Sequence, residues 1–264
     1  MSNAVLSRGS AARPPLVEPG RPLALQLEAR LASLDSLEDR VAAIAGAVPG
    51  RIAFSTSLGI EDQAILHAIA RTGAAAGAFD IFALDTGRHF PETLETLAAS
   101  EQRYGLRIRV LAPQADEIEA LVARDGLFGF RLSPDGRKAC CEVRKVRPLR
   151  RALNGAAAWV TGLRRGQSAG RGEVALAAWD AADGLIKINP QADWPLERLE
   201  AYVAANDIPV NPLHAQGFAS IGCQPCTRAI LPGEHVRAGR WWWEQEDGKE
   251  CGLHTRPAAG EAAA

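Results

Sequence analysis

The sequence predicts an α/β protein with a parallel sheet covered by helices on both faces. Three observations carry that prediction. From Ile52 to Arg124, short apolar runs alternate with longer stretches of three-and-four apolar spacing, the signature of strands alternating with amphipathic helices. Such alternation builds parallel sheets through right-handed crossovers. The chain is 264 residues long with 47% hydrophobic residues, enough for a sizeable core. It shows no internal repeat and no convincing interdomain linker, which points to one domain over 21–240.

Residues 1–20, rich in Ala, Ser, Arg, Pro and Gly, read as a disordered tail or, alternatively, as a short organelle-targeting segment. From Leu23 to Val48 apolar residues keep helical spacing, so one amphipathic helix is expected there, stopped by Pro49-Gly50. Strands follow at Ile52–Ser55, Phe79–Leu84 and Leu106–Leu111, and helices at Ile60–Arg71, Glu92–Tyr104 and Ala115–Arg124. Beyond Lys138 the spacing predicts a helix over Cys141–Leu153, strands at Ala157–Gly162 and Leu185–Ile188, and a helix over Pro195–Ala205. Periodicity fades after Asn211, and 241–264 is expected to be a mobile C-terminal segment whose order depends on a metal or ligand. In parallel sheets, ligands sit beyond the carboxyl ends of the strands, so the loops Ser55–Gly59 and Asp85–His89 are the places to look.

Thirty basic residues against thirty-one acidic give a net charge of -1, so no global attraction to nucleic acid or an anionic membrane is expected. No apolar run is long enough for a membrane helix and no signal peptide is evident, so a cytoplasmic protein is expected. Five cysteines, an odd number, argue against a disulfide framework and for metal ligation or thiol chemistry.

Cys140-Cys141 and Cys223-x-x-Cys226 form two pairs that can meet in one four-thiolate site. Adjacent cysteines chelate one ion poorly, which favours a [4Fe–4S] cluster over zinc; buried free cysteines are the plain alternative. The turn Ser55-Thr56-Ser57-Leu58-Gly59 places hydroxyls and N–H groups at a helix start, where an anion is stabilised. It lacks the GxxxxGK[ST] and GxGxxG patterns, and Ser and Thr are also ordinary helix caps. Arg144-Lys145-Val146-Arg147, Arg164-Arg165 and Arg237-Ala238-Gly239-Arg240 form an anion clamp if they converge; singly, each is a solvated basic face. Cys251 stands alone beside Lys249 and His254, which favour a thiolate, although an incidental exposed cysteine fits equally well. Trp241-Trp242-Trp243 reads as core, and His67, His89, His214 and His235 as packing or capping residues.

The segments STSLG at 55–59, LDTGRHFPET at 84–93, KACCEVRKVRPL at 138–149, WVTGLRRGQSAGR at 159–171, SIGCQPCTR at 220–228, GEHVRAGRWWWE at 233–244 and KECGLH at 249–254 resemble, in this order, the assimilatory adenylyl-sulfate and phosphoadenylyl-sulfate reductases. That resemblance implies a Rossmann-like fold of the adenine nucleotide α-hydrolase type and, through the paired cysteines, the branch that carries a [4Fe–4S] cluster and prefers adenylyl sulfate. The implied cluster ligands are Cys140, Cys141, Cys223 and Cys226, and the implied nucleophile is Cys251, which takes the SO3 group as AMP leaves. Lys145, Arg171, Arg237, Arg240 and His254 match positions around the phosphosulfate. Ser57, Leu84 and Gly162 match positions lining the nucleotide, and Ser55 and Gly59 belong to the same loop. Because the chain ends soon after the KECGLH segment, a separate thioredoxin is the expected reductant; a homo-oligomer is left open. The alternatives are a phosphoadenylyl-sulfate or dual-substrate reductase, a tRNA-thiolating enzyme, and a regulatory module holding zinc or a cluster.

Overall fold

In this computed structural model the residues described are 20–167, 173–244 and 252–253. Helix α1 (Arg21–Ala32) and helix α2 (Leu37–Ala47) replace the single helix expected over Leu23–Val48. The apolar spacing runs through both, burying Ala24, Leu27 and Leu31 and then Leu37, Val41 and Ile44, so periodicity alone hides the break. Ser36 supplies the break: its Oγ accepts the Asp39 N–H at 3.0 Å and starts α2 as an N-cap.

Strand β1 (Ile52–Thr56), helix α3 (Ile60–Arg71), strand β2 (Phe79–Leu84), helix α4 (Pro91–Tyr104), strand β3 (Arg109–Leu111) and helix α5 (Ala115–Asp125) follow the predicted alternation. Only β3 is shorter than its apolar run. Helix α6 (Pro134–Cys141), a π-helical turn at Glu142–Val146 and helix α7 (Arg147–Leu153) then form a continuous path that begins well before the expected Cys141. Ser133 caps it, accepting the Gly136 N–H at 3.0 Å. Strand β4 (Ala158–Val160), strand β5 (Ala177–Asp180), strand β6 (Leu185–Ile188) and helix α8 (Leu196–Ala205) complete the regular elements. β5 was not expected from the sequence: its four residues lie between turns and include an exposed Ala178, too little pattern to register.

The sheet order is β3-β2-β1-β4-β6-β5, with every pairing parallel except the antiparallel β5–β6 edge. β1 is central. Its Ile52 and Phe54 enter the larger core with α1, α2, α3 and α8, while Ala53 faces the smaller core of Phe82, Leu149, Leu153 and Trp159. Burial on both faces is what a central parallel strand requires. The order reverses between β1, which leads outward to β2, and β4, which leads the other way. That switch point opens a crevice at the strands' carboxyl ends. No helix among the described residues is long and apolar enough to cross a membrane.

Candidate functional site

The crevice is a cavity of about 900 Å³, and the β1–α3 turn forms its floor. Leu58 sits there at φ +62°, a left-handed conformation uncommon for a branched side chain. Hydrogen bonds hold it: Leu58 N–H donates to Thr56 Oγ1 at 3.0 Å, and both Ser57 N–H and Ser57 Oγ–H donate to Asp62 Oδ2 at 2.6 Å. Ser55 Oγ accepts Trp159 Nε1–H at 2.8 Å, tying the turn to β4. The expected anion cradle is therefore modified. The Ser57 donors and the Leu58 N–H are already engaged internally, and a carboxylate stands behind them.

Across the switch point, the loop after β4 brings Gly162 against the first turn of α3. A Cβ on Gly162 would fall 2.3 Å from Asp62 Oδ1, so only glycine fits. Arg164 from this loop pairs with Glu61 at 2.9 Å and donates to the Trp194 carbonyl at 3.2 Å. Gln167 Nε2–H joins the same Glu61 carboxylate at 2.9 Å. Burial pushes the Asp62 carboxyl up to about 6, against the Ser57 hydrogen bonds that favour its ionised form; Glu61 adds to the rise.

The opposite wall carries the cations. Lys145 comes from the π-helical turn, and Arg237 and Arg240 from the irregular segment after the CxxC. The wider i→i+5 turn resets the helix phase between Cys140-Cys141 and the cavity-facing Lys145 and Leu149. Arg240 is 7% exposed and donates to Ser220 Oγ at 3.3 Å and to the Ile221 carbonyl at 3.2 Å. Its guanidinium lies against Gly222, where a Cβ would come within 2.3 Å of Nη2. Trp241, buried as expected, has φ +44° and holds its indole near three guanidinium groups: Arg137 at 4.6 Å, Arg240 at 4.8 Å and Arg237 at 6.0 Å. Trp242, by contrast, is 39% exposed.

Beside this wall Cys223, Cys226 and Cys140 pack with Phe130, Trp241 and Trp243, and Cys141 is buried at the end of α6. The CxxC loop docks on the β2–α4 loop, with Gln224 N–H donating to the Arg88 carbonyl at 2.8 Å and Cys223 Sγ sharing a hydrogen bond with Thr86 Oγ1 at 3.4 Å. Arg144 donates to the Thr86 carbonyl at 2.7 Å. Burial raises the Cys223 thiol, yet Lys145, the Thr86 hydrogen bond, Arg240 and Arg144 together bring it below its ordinary value. Burial and the neighbouring Cys223 push Cys226 up to about 11, and burial raises Cys140 as well. Among the described residues no three His, Cys, Asp or Glu side chains converge closely enough to hold one metal ion. Thiolates are donors that both iron–sulfur clusters and zinc take, so the residues present fit either group.

Of the residues singled out in the sequence, Ser55, Ser57, Gly59, Leu84, Lys145, Gly162, Arg237 and Arg240 all line this cavity. Arg144 and Arg147 do not join the clamp: the first is buried against Thr86 and the second pairs with Glu117 at 2.9 Å. Arg171, Cys251 and His254 lie outside the described residues. Leu253, which does not, lines the cavity and packs on the Leu149–Trp159 core. His89 and His214 take the expected packing roles, with ring nitrogens 2.8 and 2.9 Å from the Leu84 and Phe218 carbonyls. Sequence reading missed Glu61 and Asp62, and it gave Arg164 to the anion clamp although its guanidinium pairs with Glu61. The available signal was the Glu-Asp pair in the first turn of α3, directly after the SLG turn.

Known proteins match this chain over most of its length. Residues 51–229 match the phosphoadenosine phosphosulfate reductase domain. An adenosine 5'-phosphosulfate reductase of Agrobacterium fabrum is 53% identical over 88% of this chain and 87% of its own. One from Allochromatium vinosum is 53% identical over 79% of this chain and 80% of its own. A probable chloroplastic 5'-adenylylsulfate reductase of Oryza sativa is 46% identical over 88% of this chain, which spans 49% of the rice protein. Among solved structures, phosphoadenylyl-sulfate reductase from Candida auris, a phosphate complex, superposes with a TM-score of 0.65 at 25% identity, covering 78% of this chain and 96% of that one.

Proposed function

The chain belongs to the phosphoadenosine phosphosulfate reductase family, and from that premise we propose how its cavity performs the reaction of its adenosine 5'-phosphosulfate reductase relatives. It is an oxidoreductase of sulfate assimilation that converts adenylyl sulfate to sulfite and AMP. One observation carries the residue assignment: all eight described residues implied in substrate binding line one cavity, beside the thiols of Cys140, Cys223 and Cys226 and reached by Leu253, two positions after Cys251.

The nucleoside occupies the floor formed by Ser55, Ser57, Gly59, Leu84 and Gly162. The phosphosulfate lies toward Lys145, Arg237 and Arg240, whose charge offsets that of the departing phosphate. Arg171 and His254 act on the same anion. The Cys251 thiolate attacks the sulfate sulfur. The bond from that sulfur to the bridging oxygen breaks, AMP leaves with the oxygen, and Cys251 carries an S–SO3 group. A thiolate of thioredoxin then attacks the Cys251 sulfur and sulfite departs. The second thiol of thioredoxin closes a disulfide and frees Cys251, so the dithiol supplies both electrons.

Cys140, Cys141, Cys223 and Cys226 would hold a [4Fe–4S] cluster, whose contribution here is charge and order rather than electrons. The cationic surroundings that already favour the Cys223 thiolate support this reading. Lys145 serves both places, lining the cavity and acting on Cys223 and Cys226. Reduced thiols of this kind fit a cytoplasmic setting.

The test is incubation of the purified protein with adenylyl sulfate in the absence of thioredoxin, followed by peptide mass analysis. An SO3 adduct on Cys251, released as sulfite when thioredoxin is added, is the expected result. An adduct on Cys140, Cys141, Cys223 or Cys226, or sulfite release by Cys251→Ser, overturns the division between nucleophile and cluster ligands.

A further inference from the structure

The cavity lining carries both signs of charge. Lys145, Arg237 and Arg240 come from the π-helical turn and the segment after the CxxC, and Glu61, Asp62, Asp193, Glu197 and Glu200 from α3, the loop before α8 and α8 itself. Several of the second group are already compensated. Glu61 pairs with Arg164, and Asp193 pairs with Arg40 at 2.6 Å. Arg165 also lines the cavity; its Nε–H donates to the Val174 carbonyl at 2.9 Å. Asp62 differs from its neighbours: it is 7% exposed, and its hydrogen-bond partners are Ser57 and the Gly162 backbone, all neutral.

The direction of the Ser57 hydrogen bonds matters as much as the charge. An ionised carboxylate is an acceptor only, so Asp62 draws both the N–H and the O–H of Ser57 toward itself. Ser57 Oγ then presents only lone pairs to the cavity. It can accept from a hydroxyl or amine of a nucleoside but has no hydrogen to offer a phosphate.

We infer that Asp62 sets nucleotide selectivity, disfavouring a substrate whose ribose bears an additional phosphate by orienting Ser57 as an acceptor and by placing a buried negative charge behind it. This rests on the adenylyl-sulfate reading, in which the phosphosulfate lies toward Lys145, Arg237 and Arg240 and the nucleoside toward the β1–α3 turn. Asp62→Asn removes the charge while nearly preserving shape. Both Ser57 hydrogens reach the one oxygen Oδ2, so an amide oxygen in that place keeps both bonds, whereas Asp62→Ser takes the acceptor away and frees the Ser57 hydroxyl hydrogen toward the cavity.

The experiment measures binding of AMP and of adenosine 3',5'-bisphosphate to the unmodified protein, Asp62→Asn and Asp62→Ser, with sulfite release from adenylyl sulfate and phosphoadenylyl sulfate in parallel. Removal of one like-charge contact should shift the AMP-to-bisphosphate affinity ratio roughly ten- to hundredfold toward the bisphosphate, mainly by tightening the bisphosphate. Adding Ser57→Ala to Asp62→Ser should reverse part of that gain. An unchanged ratio in both single variants, or equal weakening of both ligands, overturns the inference. Failure of the adenylyl-sulfate reading shows separately, as absence of sulfite from the unmodified protein, and the binding ratios still decide the role of Asp62.

Discussion

The floor of the cavity and its cationic wall are built on different physical principles. The floor belongs to the sheet, where Ile52, Phe54, Ile65, Leu66, Ile69 and Val160 are almost fully buried in one continuous apolar core. The wall, from Asn211 to Trp241, has two short 3-10 turns at Pro212–Gln216 and Gln224–Cys226 and a single bridge between Thr227 and Arg240. Its small core consists of Phe130, Cys223, Cys226 and Trp241, with guanidinium groups stacked on the indole. Hydrophobic stabilisation scales with buried apolar area, so the floor draws on a large apolar term, whereas the wall leans on charge–aromatic contacts. On the proposed reading, the floor positions the nucleoside and the wall meets the anion.

Four changes would break or sharpen that contrast. The largest effect is expected from Cys226→Ser, which should eliminate bound iron and speed amide hydrogen exchange across 211–241, leaving exchange in β1, β2 and β4 at its original rate, because ligation and local folding are coupled. Full iron retention, or equal deprotection of the sheet, would show that the two regions are not separate.

Phe54→Ala removes a fully buried ring from the central strand and should destabilise the whole molecule by about 3–5 kcal/mol. Denaturant unfolding followed by tryptophan fluorescence would report it, and a loss confined to the wall would contradict the assignment of global stability to the sheet.

Asp62 offers a pH test of the floor. Its folded-state pKa of about 6 lies above the ordinary 3.8, so the folded protein holds this proton more tightly than the unfolded chain. The stabilising contribution is fully present below 3.8 and disappears as pH rises through 6. A shift of this size corresponds to about 3 kcal/mol. The stability difference between the unmodified protein and Asp62→Asn should therefore move in favour of the unmodified protein between pH 7 and pH 4, as measured by urea titration. A difference independent of pH would show that Asp62 is not the titrating group.

The smallest effect concerns the wall alone. Arg240→Ala should lower kcat/KM for adenylyl sulfate by roughly 30- to 150-fold, about 2–3 kcal/mol, with the midpoint of sheet unfolding unmoved. Unaltered kinetics would exclude Arg240 from anion binding.

Most of the floor was legible because a parallel sheet writes itself locally. α3 and β2 fall where their apolar patterns end, and α4, α5 and α8 differ from expectation by a residue at one end. The loops at the carboxyl ends of β1 and β2 followed from the same alternation. The turn between α1 and α2 was not legible, because Ser36 interrupts a spacing that continues undisturbed through it. β5 was missed for the opposite reason: an antiparallel edge strand of four residues needs β6 beside it before its pattern means anything.

At the site, residue types, motif order and the family resemblance they carry picked out the serine turn, the paired cysteines, Lys145, Arg237 and Arg240. These identities are chemical and local, so a sequence carries them. How the basic residues are partnered was decided only by the tertiary structure, since Arg144 and Arg164 find partners on Thr86 and Glu61, distant in sequence. The role of Asp62 was decided in the same way. A carboxylate in the first turn of a helix reads as an ordinary dipole partner, and it becomes something else only when Ser57 turns both hydrogens toward it and Gly162, from across the switch point, leaves room for nothing but its oxygen. The Ser57 bonds are local, but the burial of Asp62 against Gly162 arises from a segment about a hundred residues away, and no spacing along the chain encodes it.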